Sequence, residues 1–162
     1  MVYTIRQNTM KSDSLVKFDQ KAIAFLRKIR MPFARIAIFV VFFWFGFLKI
    51  IDASPANPLV KNLLEQTLPL ISFEQFIVLF GIYEMMIGIV FLIPKWERAA
   101  MAMLLPHMIT TFLPLILLPE IIWQSFFVPT LEGQYIIKNL VIIALAFGIA
   151  AELIPWQKKM GV

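Results

Sequence analysis

The chain has 162 residues, of which 60% are hydrophobic and only 15% charged, with a mean hydropathy of +0.83. This is more apolar than a soluble domain and marks an integral membrane protein of one domain. The absence of cysteine excludes disulfides, thiolate–metal sites, iron–sulfur clusters and thiol redox chemistry within the chain. The net charge is +5, but eight of the fifteen Lys and Arg precede residue 36, a placement that speaks of membrane orientation and not of nucleic-acid binding.

Residues 1–13 read as disordered. In "SLVKFDQKAIAFLRKIR", Leu15, Phe18, Ala22, Phe25 and Ile29 recur at helical spacing, with Lys17, Lys21 and Lys28 off that stripe. The pattern predicts an amphipathic helix lying on the inner membrane surface. The basic stretch before the first apolar run exceeds 30 residues, too long for the basic region of a cleaved leader.

Four segments are long and apolar enough to cross a bilayer as helices: residues 33–51, 75–93, 99–118 and 135–153. Pro32 stands at the favoured first turn of the first span, and Ser72 and Gln75 have the S-x-x-Q spacing of a capping box before the second. The expected architecture is all-α: a polytopic four-transmembrane-helix bundle with an N-terminal amphipathic interfacial helix. Its parts are a cytoplasmic segment at 1–31, the transmembrane domain at 32–155 and a tail at 156–162. Twelve Lys and Arg fall on the side of the two termini and three (Lys49, Lys61, Lys138) on the other, so both termini are placed in the cytoplasm. The outer loop 52–74 carries three prolines and a short helical stretch at about 59–66. The outer loop 119–134, with Trp123, Phe126 and Phe127, is greasy enough to dip into the interface or to cover the bundle.

Ionisable residues inside spans are costly and are functional candidates by default. Glu84 falls about 15 Å into the second span, near the midplane, with Gly81 and Gly88 on its face; small residues admit a neighbouring helix, so Glu84 is expected to face protein. His107, the only histidine, shares a helical face with Thr110, Thr111 and Pro114. Pro106 and Pro114 are each expected to bend that helix. Lys49 ends the first span and Lys138 begins the fourth, both at the outer surface. Glu84, His107, Lys49 and Lys138 are thus expected to converge on an outer-half cavity, with Thr110 and Thr111 on its wall. Asn139, Gln134, Glu132 and Tyr83 or Tyr135 would line its mouth. Simpler roles stand beside this one: lysines that snorkel to the interface, a carboxylate paired only to hold helices, a core histidine, and threonines bonded to their own backbone.

One histidine and no cysteine argue against a transition-metal or bis-histidine haem site within one chain, and no phosphate loop or nucleophile elbow is present. No catalytic residue is assigned, and the chain is not expected to be an enzyme on its own.

These stretches resemble the DoxX-like superfamily of small four-helix membrane proteins, most closely its reactive-chlorine-resistance inner-membrane branch. "FFWFGFLKIIDASPANPLV" resembles the end of that family's first span, "GIYEMMIGI" its second span with a lone glutamate, and "TTFLP" with "EGQYIIKNLVIIALA" its third span and the entry to its fourth. The likeness covers about residues 33–151. It implies matching roles for Lys49, Glu84, Thr111, Pro114, Gly133 and Lys138, a bacterial-type inner membrane, oxidant-stress defence and a possible quinone ligand. Asn139 departs from the acidic residue usual after the fourth-span lysine.

Three functions compete. The first is a binding protein with a polar outer-half pocket for a quinone-like or other amphipathic small molecule. The second is a structural or assembly subunit. The third is a small proton-linked transporter. The expected partners are the lipid bilayer and a second copy or a larger membrane complex, with no nucleic acid.

Overall fold

The computed structural model describes the backbone of residues 2–153 and the side chains of residues 14–153. The tail at 156–162 lies outside the described residues. The order is α1 (Val2–Ile50), α2 (Asn57–Thr67), α3 (Phe73–Leu92), α4 (Glu97–Phe112), α5 (Pro114–Leu117), α6 (Pro119–Ile122), β1 (Trp123–Ser125), β2 (Val128–Pro129) and α7 (Leu131–Ala150). Among the described residues, four helical stretches are long and apolar enough to span a membrane: Ser14–Ile50, Phe73–Leu92, Glu97–Leu117 and Leu131–Ala150. The protein is therefore an all-α, multi-pass membrane protein.

The chain divides into two compact units, Met1–Phe33 and Ala34–Val162. The first is helical from Val2, where disordered chain was expected over 1–13, and α1 runs through Pro32 instead of starting there. Proline removes one helical hydrogen bond without removing the preference of its neighbours, and spanning helices commonly accommodate it. Within this unit Leu15, Phe18, Phe25 and Leu26 are exposed.

The second unit holds the core. Ala34, Ile38, Phe42, Gly46 and Lys49 form the buried stripe of α1. The corresponding stripe of α3 is Ile77, Gly81, Glu84, Ile87, Gly88 and Phe91, so Glu84 does face protein. The Ser72 hydroxyl accepts the Gln75 amide at 3.4 Å and starts α3 two residues before the expected point. The third span is interrupted at Leu113 because Pro114 has no N–H to donate; the Thr110 carbonyl accepts from the Leu113 amide at 3.3 Å instead. Pro106, by contrast, sits inside α4 without ending it.

The fourth span begins at Leu131, four residues earlier than expected. Thr130 caps it, its hydroxyl accepting from the Gly133 amide at 3.2 Å while donating to the Ile121 carbonyl at 2.9 Å. Gly133 is required here, since a Cβ would lie 2.5 Å from the Ile122 carbonyl oxygen. Between α6 and α7 the greasy loop forms a two-stranded antiparallel hairpin, pairing Trp123 with Pro129 and Ser125 with Val128. Its tip residues Phe126 and Phe127 are exposed, and the Trp123 indole is tied to the Leu115 carbonyl at 3.2 Å.

Candidate functional site: a buried lysine, glutamate and histidine

The site originates in the crossing of α1 and α3. A Cβ on Gly46 would lie 2.5 Å from the Gly81 carbonyl oxygen, and one on Gly81 would lie 2.6 Å from that of Gly46. Two backbones in such contact leave no width for side chains between them. The next inward positions, Lys49 and Glu84, therefore stand beside the crossing. Lys49 Nζ donates to Glu84 Oε2 at 2.6 Å, with both side chains buried. From α4, His107 Nε2 lies 3.5 Å from Glu84 Oε1. Each carboxylate oxygen thus faces a nitrogen from a different helix.

Aromatic rings close the surroundings. Phe80 stacks on the imidazole at 5.2 Å between centroids, Phe42 meets it edge-on at 5.3 Å, and Lys49 Nζ lies 5.5 Å from the Phe80 ring centre. Tyr83, with its ring 6.3 Å from His107, donates its hydroxyl to the Met103 carbonyl at 2.7 Å. His107 is 5% exposed, and its Nδ1 is buried without a hydrogen-bond partner among the described residues. A buried polar atom left unpaired costs about 1–3 kcal/mol, so this nitrogen calls for a partner.

The remaining expected residues divide. Thr111 joins the group: its hydroxyl is 3.4 Å from His107 Nε2 and donates to the His107 carbonyl at 2.9 Å. Thr110 does not; it is exposed, and its hydroxyl donates to the same carbonyl at 2.8 Å. Two consecutive residues stand about 100° apart on a helix, and only one of them points inward. Lys138 is exposed, its ammonium 5.5 Å from the Tyr135 ring centre, and the Asn139 amide donates to the Tyr135 carbonyl at 3.3 Å. The reason is helix phase. Gly133, Ile136, Ala146 and Ile149 face inward on α7, and Lys138 lies about 200° around from Ile136. Gln134, Glu132 and Tyr135 are exposed as well. The expected contribution of the fourth span to the charged group is thus not assembled with it.

Compared with protein-family models, curated proteins and solved structures, the chain matches none.

One part-buried charge pair was missed by the sequence reading. Arg35, counted there only as an orientation charge, forms an ion pair through Nη2 with Glu97 Oε1. Its Nη1 donates to the Phe91 carbonyl at 3.1 Å, and Glu97 Oε1 also accepts from the Lys95 amide at 3.2 Å. Arginine inside an apolar run, with a glutamate opening a later span, was the available signal. Among the described residues no group of three or more His, Cys, Asp or Glu is placed to hold a metal ion.

Proposed function

We propose that this chain is a DoxX-like small membrane protein that binds a quinone-like or other amphipathic small molecule at Lys49, Glu84 and His107. In this reading it serves oxidant-stress defence in a bacterial-type inner membrane and is not an enzyme on its own. Both termini lie in the cytoplasm, and residues before the first span form an amphipathic helix on the inner surface. The observation that carries the reading is the unpartnered, buried His107 Nδ1 beside a desolvated ion pair and against aromatic rings. Polar atoms that fix orientation within an apolar, aromatic wall are what a site for a flat amphipathic ligand requires. The test is extraction of the purified protein followed by mass spectrometry of its bound lipids. A ring-bearing amphipathic molecule should accompany the native chain and be depleted in His107→Phe. Equal recovery from both proteins would defeat the proposal.

A structural or assembly subunit is the second reading. It is favoured by the coverage of His107 by Phe42 and Phe80 and by the touching backbones at Gly46 and Gly81. Under it, Glu84→Gln would lower the yield of an assembled complex without changing any bound molecule.

A further inference from the structure

The hydroxyl of Thr111 lies within reach of two groups of His107, its carbonyl and its ring. A threonine hydroxyl carries a single proton, and Thr111 spends it on the His107 carbonyl at 2.9 Å. Toward His107 Nε2, 3.4 Å away, the Thr111 oxygen can therefore only accept. Glu84 Oε1, 3.5 Å from the same nitrogen, is the second acceptor, because Oε2 is engaged by the Lys49 ammonium at 2.6 Å in a charge-assisted contact of a carboxylate. Two acceptors converging on Nε2 require Nε2 to hold the ring proton. A neutral imidazole has only one, so Nδ1 presents a lone pair. This is the atom that is buried and unpartnered.

We infer that the site formed by His107, Glu84 and Thr111 binds a hydroxyl-donating aromatic ring, the reduced hydroquinone or phenol class, in preference to the carbonyl-bearing quinone. A carbonyl offers Nδ1 only a second acceptor, so a quinone gains nothing there unless the imidazole takes up another proton. The aromatic walls suit the ring: Phe80 and Phe42 already contact the imidazole at 5.2 and 5.3 Å, and a flat ligand replaces one such contact with another of the same kind. Nδ1 is buried in this conformation, so admission of the hydroxyl requires a neighbouring side chain to turn aside. The inference rests on the reading of the site as a small-molecule site.

The chain has one histidine, so ¹⁵N-histidine labelling gives a single pair of ring nitrogens. The labelled full chain in lipid nanodiscs is titrated separately with decyl-hydroquinone, decyl-benzoquinone and the dimethyl ether of the hydroquinone. Without ligand, the spectrum should have Nε2 protonated and Nδ1 bare. The hydroquinone should move the Nδ1 signal, and the other two should bind about tenfold more weakly, the worth of one buried hydrogen bond. A protonated Nδ1 in the free protein overturns the inference. A quinone that binds as tightly as the hydroquinone and moves Nδ1 also overturns it, while leaving the small-molecule site standing. If no probe moves either nitrogen, both fall. No substitution is needed, so misfolding of a variant cannot obscure the result.

Discussion

Lys49 Nζ lies 2.6 Å from Glu84 Oε2, in a pair whose side chains are only 6% and 8% exposed. Neither charge can turn to water if its partner is lost. Lys49→Met alone should destabilise the bundle by about 3–5 kcal/mol, because it strands a buried carboxylate. Lys49→Met combined with Glu84→Gln should recover most of that loss. Glu84→Gln alone should be tolerated far better than Glu84→Lys, which sets two ammonium groups together. Unfolding of each variant in mixed micelles measures the series. A double variant no more stable than Lys49→Met would contradict the coupling.

The crossing of α1 and α3 sets a second order of effects. Gly46→Leu or Gly81→Leu should push the helices apart and disconnect Lys49 from Glu84, since even a Cβ would lie 2.5 or 2.6 Å from carbonyl oxygen. Gly88→Ala should cost much less, its nearest neighbour being 3.1 Å away. Proteolytic susceptibility of the three variants should rank accordingly. Equal behaviour of Gly46→Leu and Gly88→Ala would argue against the close crossing.

Adjacent threonines should answer differently to the same substitution. Thr110→Val removes an exposed hydroxyl bonded only to backbone and should change stability by less than about 0.5 kcal/mol. Thr111→Val removes the acceptor facing His107 Nε2 as well, and should alter the ¹⁵N signal of that ring. An unchanged imidazole spectrum in Thr111→Val would remove Thr111 from the site.

The absence of cysteine permits a direct check of topology. A single cysteine at Asn62 or Ser125 should react with an impermeant thiol reagent added outside intact cells. One at Gln157 should react only after the membrane is opened. The reverse pattern would place the termini outside.

The spans were legible because some 20 consecutive apolar residues have one physical solution in a bilayer, a helix. The inward aim of Glu84 was legible from Gly81 and Gly88, whose spacing marks a close helix neighbour. Lys138 was not. In lipid, the outward face of a helix is as apolar as the inward one, so the pattern around Ile136 and Leu140 carries no clear phase. The Arg35–Glu97 pair was hidden for another reason: its members are 62 residues apart and meet only through the packing of α1 against the turn before α4. The early start of the fourth span depends on Thr130, whose cap could be placed only once the hairpin before it was known.

Arg35 and Lys49 are fourteen residues apart on α1, nearly four whole turns and about 21 Å, and each is bound to a glutamate of another span. The two cations therefore act as the marks of a gauge cut into the helix. Deleting one residue between them would swing one mark by about 100° relative to the other, so that only one glutamate could be met at a time. Inserting four would restore the bearing but lengthen the gauge by about 6 Å. Length and angle of this stretch are thus fixed together, and any natural or engineered change in it must preserve both.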